Sequence, residues 1–215
     1  MISEKLKYFE LAKKLNAMHR EELVIKEAHF RGSMNSCSLI SLNHETAEIG
    51  ESGITEKNAA RILTGFNPKS PGRPTPEKTL QAWIILNALR NNHILPFGDN
   101  LTFITSELAS VNDDKTVNDI LSINETNDLV VIELKPERIN KVKQQALKFK
   151  DIILSDKEGF FKRLTELMTG KDWSGKVICA IVWPKAKGKA RKVPKKYMEV
   201  GEYQYIACSG NYTFE

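Results

Sequence analysis

The sequence predicts a mixed α/β fold, one central mixed sheet flanked by helices, in the order α-β-β-β-α-(α)-β-β from residue 75 onward. Three observations predict it. Stretches with strand character follow one another between residues 101 and 135, separated by polar turns. Helical periods lie on both sides of them. And the run Leu129-Val130-Val131-Ile132 is apolar on both of its faces, as expected of a central strand covered from two sides. That run closes on Glu133-Leu134-Lys135, and burying such charge is costly unless it is paired or binds a metal.

The elements follow in order. Residues 3–24 carry a helical period through Leu6, Phe9, Leu11, Leu15, Met18 and Leu23. Residues 28–55 are rich in Ser, Asn and Gly and suggest short strands or loops, and Ala59–Phe66 a short helix. The segment 67–74 holds three prolines and marks a linker. The expected organisation is therefore a helical and irregular N-terminal appendage over 1–66, the linker, and a core domain over 75–215. Thr75-Pro76-Glu77 starts a helix: Thr75 caps, Pro76 suits the first turn, and Glu77 complements the positive helix end. Its inner stripe is Leu80, Trp83, Ile84, Asn87 and Ala88. Strands are expected over Leu101–Ala109, Val117–Ile123 and Asp128–Lys135, with turns at 98–100, 112–115 and 124–127. A helix is expected from Pro136 to Leu154, with Ile139, Val142, Ala146, Phe149 and Ile153 inward, and another over Phe160–Met168. Lys176–Trp183 and Tyr203–Cys208 read as closing strands.

Composition narrows the class. The chain has 215 residues, 41% of them apolar and 27% charged, ordinary values for a soluble globular protein. No apolar run approaches the roughly 20 residues that span a bilayer, and the charged N-terminus does not read as a signal peptide, so a cytoplasmic location is expected. Cys37, Cys179 and Cys208 form no CxxC pair, which argues against a disulfide framework or a zinc ribbon; Cys179 and Cys208 read as core residues. Cys37 and His44 do not make a metal site, and the four histidines, His19, His29, His44 and His93, are scattered. The net charge of +5 is local: Lys185, Lys187, Lys189, Arg191, Lys192, Lys195 and Lys196 supply seven positive charges, leaving −2 for the rest. Such a basic segment suits a polyanion, gripping phosphates without reading sequence. Trp183 and Tyr197 flank it and are placed to stack on bases. Trp83 and Trp173 read as core.

The chemistry is read from strand geometry. Alternate residues share a face, so Glu133 and Lys135 point with Val131 and Leu129. Asp119 shares its face with Val117, Leu121 and Ile123. If opposed residues of the two strands sum to 252, Asp119 faces Glu133 and Leu121 faces Val131. That register requires an odd-length connection, such as Glu125-Thr126-Asn127 with Asn127 left-handed. A two-residue turn would instead set Asp119 against Ile132. Two carboxylates so close repel unless a cation lies between them. Mg²⁺ suits the gap, because it takes oxygen ligands, retains waters and accepts phosphate oxygens. Lys135 beside it could hold or activate water, or neutralise charge at phosphorus.

The arrangement resembles the PD-(D/E)XK nuclease superfamily, with its restriction-endonuclease-like fold. Val117-Asn118-Asp119-Ile120 stands for the family's aspartate element. Glu133-Leu134-Lys135 stands for (D/E)xK, with thirteen residues between Asp119 and Glu133. Asn118 replaces the proline frequent before that aspartate. Members often carry a glutamate on the helix before the hairpin, where Glu77 stands, and a glutamine on the helix after the lysine, where Gln145 fits the inner stripe better than Gln144. The resemblance spans residues 75 to about 155 and extends to 209 if the last strands complete the sheet. It implies a nuclease, acting on double-stranded DNA, with Asp119 and Glu133 as ligands of Mg²⁺ (or Mn²⁺). Lys135, Glu77 and Gln145 complete the catalytic set, and a homodimer is expected for double-strand cleavage. Glu107 reads as structural. Two rival readings remain at this level: a non-catalytic nucleic-acid-binding protein on the same fold, using the basic segment, and a protein-interaction module built on the N-terminal helix.

Overall fold

The computed structural model describes residues 6, 10, 27–30, 36–40, 46–50, 75–109, 116–139, 141–186 and 200–215. Expectations for the short helix at 59–66, the proline-rich linker, the turn at 112–115, Tyr197 and all of the basic segment except Lys185 lie outside them. Leu6 is helical and packs against the core, in keeping with the helical period read there. The stretch expected as short strands or loops forms an antiparallel three-stranded sheet of β1 (Glu27–Phe30), β2 (Ser36–Ile40) and β3 (Thr46–Gly50).

The main sheet has six strands in sequence order: β4 (Thr102–Ala109), β5 (Val117–Ile123), β6 (Leu129–Leu134), β7 (Val177–Pro184), β8 (Val200–Cys208) and β9 (Asn211–Phe214). It is mixed. β4, β5 and β6 run antiparallel, β6–β7 and β7–β8 are parallel, and β8–β9 is an antiparallel hairpin. One helix, α1 (Pro76–Arg90), covers one face; α2 (Val142–Leu154) and α3 (Phe160–Thr169) form the crossover on the other. Every residue of β6 is buried, which is why its sequence is apolar on both sides. Val130, Ile132 and Leu134 pack with Leu80 and Ile84 of α1. Leu129 and Val131 pack with Val142, Ala146 and Phe149 of α2. Among the described residues no helix is long and apolar enough to cross a membrane.

Local chemistry explains the elements. The Thr75 hydroxyl accepts from the Lys78 amide at 3.3 Å, and Pro76 and Glu77 follow in the first turn of α1, as read. The connection between β5 and β6 is odd in length and Asn127 is left-handed, with φ +62°. Ile120 faces Ile132 and Leu121 faces Val131, the anticipated register.

Four expectations are corrected. The helix expected from Pro136 starts at Val142, and Ile139 is exposed rather than inward. The cause is Arg138, which donates to the Pro184 carbonyl, pairs with Glu202 and lies 4.3 Å over the Trp183 ring, tying the chain to β7 and β8 ahead of the helix. Trp183 is itself buried, its indole N–H on Glu202, and so does not present its ring to bases. Cys208 is exposed, unlike buried Cys179. And β9 is additional: Ser209 and Gly210, with φ +48° and +83°, turn the chain back tightly. Tyr212 and Phe214 then cover half-buried Trp83, while Trp173 packs partly buried against the other cluster.

Candidate active site

The site lies where the β5–β6 ladder opens. The Lys135 amide donates to the Val182 carbonyl of β7, so the preceding Leu134 amide points toward β5. In unbroken register it would meet the Asn118 backbone, but the ladder stops at the Ile120–Ile132 pair. Side chains take over. The Leu134 amide donates to Asp119 Oδ2 at 2.8 Å, and Asn118 Nδ2 donates to the Ile132 carbonyl at 3.1 Å. β5 thus leaves β6 with two side-chain bridges in place of backbone ones, and Asp119 and Glu133 face the opening.

Both carboxylates are buried. Glu133 is 1% exposed and Asp119 7%. Burial pushes each carboxyl above its ordinary range; the neighbouring Asp119 raises Glu133 further, and the charge of Glu77 raises Asp119. The Leu134 amide and the Lys135 ammonium oppose the shift at Asp119. Among the described residues, two buried side-chain oxygens have no hydrogen-bond partner: Glu133 Oε1 and Asn118 Oδ1. Buried oxygens of this kind are rare because each carries a desolvation cost of about 1–3 kcal/mol.

Lys135 lies just past β6. Its Nζ is 3.2 Å from Glu77 Oε2 and 3.9 Å from Asp119 Oδ2. The first turn of α1 therefore reaches the sheet end as anticipated, with Glu77 anchoring the ammonium. One turn further along α1, Gln81 is buried; it donates to the Asp119 carbonyl at 2.8 Å and accepts from Lys78 Nζ at 2.9 Å. Gln81 was passed over in the sequence. Its signal is a polar residue four positions after Glu77, hence on the same helix face.

Gln145 is not brought to the site. It is exposed on α2, whose buried seam is Val142, Ala146, Phe149 and Ile153. At 100° per residue Gln145 stands about 70° from the middle of that seam, far enough to face solvent. Gln144 is exposed as well. The side chain of Glu107, and those of Lys187, Lys189, Arg191, Lys192, Lys195 and Lys196, lie outside the described residues. Lys185 extends from the end of β7 and pairs with Glu215 at 2.5 Å.

The donor set suits a small hard cation. Among the described residues no group of three or more His, Cys, Asp or Glu side chains is placed to hold a metal, so any ion here rests on Asp119 and Glu133 with other oxygens. That is the pattern of Mg²⁺, which binds through one or two carboxylates and completes its shell with waters and phosphate oxygens. The unpartnered Glu133 Oε1 meets this need, because a cation would satisfy it and relieve the repulsion with Asp119.

No protein-family model matches the chain, and no curated protein matches it. Among solved structures it is similar to a repair endonuclease from Pyrococcus abyssi, at 13% identity and a TM-score of 0.35, over 83% of this chain and 64% of that one. It is also similar to EndoMS in the EndoMS–dsDNA2 complex, at 12% identity and a TM-score of 0.37, over 84% of this chain and 65% of that one. The chain thus spans less than two thirds of the length of either protein. Likenesses this distant leave the geometry of the site as the ground for a functional reading.

Proposed function

We propose that the chain is a metal-dependent nuclease of the PD-(D/E)XK type, hydrolysing phosphodiester bonds in double-stranded DNA. The observation that carries the reading is the buried Asp119–Glu133 pair at an opened ladder, with an unpartnered Glu133 oxygen and the Lys135 ammonium 3.9 Å from Asp119. A purely structural carboxylate in this position would be expected to find a partner.

Asp119 and Glu133 would hold a divalent cation, Mg²⁺ or Mn²⁺. When bound, that ion neutralises charge on the phosphate and makes water a better nucleophile at neutral pH. The residues supply the rest. The Leu134 amide on Asp119 Oδ2 fixes one carboxylate, leaving its other oxygen for the cation. Gln81 holds the Asp119 backbone from α1. Glu77 keeps the Lys135 ammonium at the sheet end, where it can orient the attacking water or balance the charge gathering on phosphorus. Burial of both carboxylates excludes bulk water and strengthens each of these interactions. Lys185, the first residue of the basic segment, follows β7 at the end paired with Leu134 of β6, and the segment would grip phosphates flanking the reacting one. Gln145 has no part in this scheme. Cleavage of both strands would call for a second copy, hence a homodimer.

The test is incubation of the purified protein with plasmid, linear duplex and single-stranded DNA in Mg²⁺, Mn²⁺ or EDTA, beside Glu133→Ala and Lys135→Ala. Cleavage that needs the cation and is lost in both variants supports the reading. DNA left intact under every metal, with salt-sensitive binding retained, would replace it with a non-catalytic binding protein. Absence of any binding would leave the protein-interaction module.

A further inference from the structure

Asn118, which in the sequence only stands in place of a proline, has no part in the scheme above. It is fully buried, one position before Asp119, at the point where β5 peels away from β6. Its amide group donates from Nδ2 to the carbonyl of Ile132, the residue directly before Glu133. The same side chain favours the charged form of the Glu133 carboxyl, as a hydrogen-bond donor beside it does. Its Oδ1 is buried without a partner. The orientation of the amide follows from this pattern, since turning it over would set Oδ1 against the Ile132 carbonyl. Asn118 therefore has its nitrogen on the strand that carries Glu133 and its oxygen unsatisfied.

The nitrogen of Asn118 has a structural use, because it gives the Ile132 carbonyl the donor that the interrupted ladder no longer supplies. Its oxygen has none, and a buried oxygen left unmet carries a penalty. Leu, similar in branching, would remove that penalty and leave the Ile132 carbonyl without its donor. Nor could Leu act on the Glu133 carboxylate from the β5 side while Leu134 is held by Asp119.

We infer that Asn118 is a positioning residue for the cation site: its amide bridges Ile132 and Glu133 across the opened ladder and sets the Glu133 carboxylate toward Asp119. This rests on the proposed cation site. Groups that orient a ligating carboxylate change metal affinity by about 10- to 100-fold when removed. Oxygen Oδ1 is then free to accept from a water of the ion's shell, which gives its unsatisfied state a use.

The experiment measures Mn²⁺ binding to the full chain by calorimetry, with thermal unfolding in EDTA on the same samples, for wild type, Asn118→Leu and Asn118→Ser. The expected result for Asn118→Leu is Mn²⁺ affinity weaker by about 10-fold or more, beside a lower unfolding temperature in EDTA because the Ile132 carbonyl loses its donor. The Mn²⁺ concentration giving half-maximal cleavage should rise by the same factor. A merely structural role predicts the lower unfolding temperature with unchanged affinity, and that result overturns the inference. If Asn118→Leu does not fold, Asn118→Ser decides: its hydroxyl is too short to reach both partners, so affinity within two-fold of wild type in that variant also overturns it. Wild-type protein that binds no Mn²⁺ sinks the cation site and this inference together. Wild-type binding with unaltered affinity in the variants sinks the role of Asn118 alone.

Discussion

The two ends of the β5–β6 hairpin handle their polar groups in opposite ways. At the turn, Asn124 Oδ1 accepts from the Thr126 amide, the Thr126 hydroxyl and the Asp128 amide, at 3.0, 2.9 and 2.8 Å. Asp128 accepts from Ser174 and Thr126, and the Asn127 carbonyl from the Ser174 amide. At the open end the ladder stops, two buried oxygens go unmatched and two carboxylates face each other. One strand pair thus holds a saturated end that sets the register and an unsaturated end that the register delivers. The difference teaches where folding and function divide: the turn and the buried pairs beside it align Asp119 with Glu133, and the two carboxylates they bring together stay buried at the open end.

The largest expected effect breaks the open end. Glu133→Ala and Asp119→Asn should each lower the cleavage rate in Mg²⁺ by at least about 100-fold, the scale of losing a charge-stabilising group, with folding intact by circular dichroism. Lys135→Met should cost about 10²- to 10⁴-fold, as for loss of a proton-handling group. Its effect on Mn²⁺ affinity should be far smaller than that of Glu133→Ala, because Lys135 stands beside the carboxylates and is not a ligand. Equal loss of affinity in both variants would place Lys135 in the binding of the ion instead.

Acid and alkali should separate the two ends by sign. Glu133 has its carboxyl raised from 4.5 to about 9, chiefly by burial, and Asp119 from 3.8 to about 6. Their stabilising contribution is therefore present below the ordinary carboxyl range and is lost as pH rises toward those raised values. Asp128 is shifted the other way, lowered from 3.8 by its hydrogen bond from Ser174. Its contribution is present above that value and is lost as pH falls below it. In EDTA, urea unfolding followed from acid to alkaline pH should show metal-free stability declining above about pH 5. Glu133→Gln should flatten that decline and add about 1–3 kcal/mol near neutrality, while Asp128→Asn should alter only the acid limb. Saturating Mg²⁺ should oppose the decline in wild type, by about 2.7 kcal/mol at a hundredfold excess over its dissociation constant, and not in Glu133→Gln.

What the sequence disclosed follows the same division. The register, the left-handed Asn127 and the cap at Thr75 are local signals, carried by residue types whose backbone preferences act within a few positions. The two-faced burial of β6 was legible because both alternating sets are apolar. The misreadings concern side chains whose partners are distant in sequence. Arg138 delays α2 because it engages Pro184, Glu202 and Trp183, and no helical periodicity records such a clamp. Gln145 falls in sequence between Val142, Ala146 and Phe149, yet it stands about 70° round the helix from the seam they define, and so in solvent. Gln81 and Asn118 matter through bonds to the Asp119 and Ile132 carbonyls, which a chain read in one dimension does not display. The β9 hairpin did have a local sign, the Ser209-Gly210 pair followed by alternating Tyr212 and Phe214.

The smallest effects test whether the turn end serves register alone. Asn124→Ala removes the acceptor of three hydrogen bonds in an exposed turn and should cost about 1–2 kcal/mol in urea unfolding. Because the hydrophobic pairs Leu121–Val131 and Ile120–Ile132 also specify the register, the strands should stay aligned, and cleavage at saturating Mg²⁺ should remain within two-fold of wild type. A large loss of activity in a folded Asn124→Ala protein would mean that the turn, and not the buried pairs, aligns Asp119 with Glu133. Asn127→Gly sharpens the same point in the other direction. Gly adopts φ +62° without the steric cost that even Asn bears, so stability should rise by a few tenths of a kcal/mol at most, set against the greater freedom of the unfolded chain. Activity should not change, since the residue is already in the conformation that the register requires.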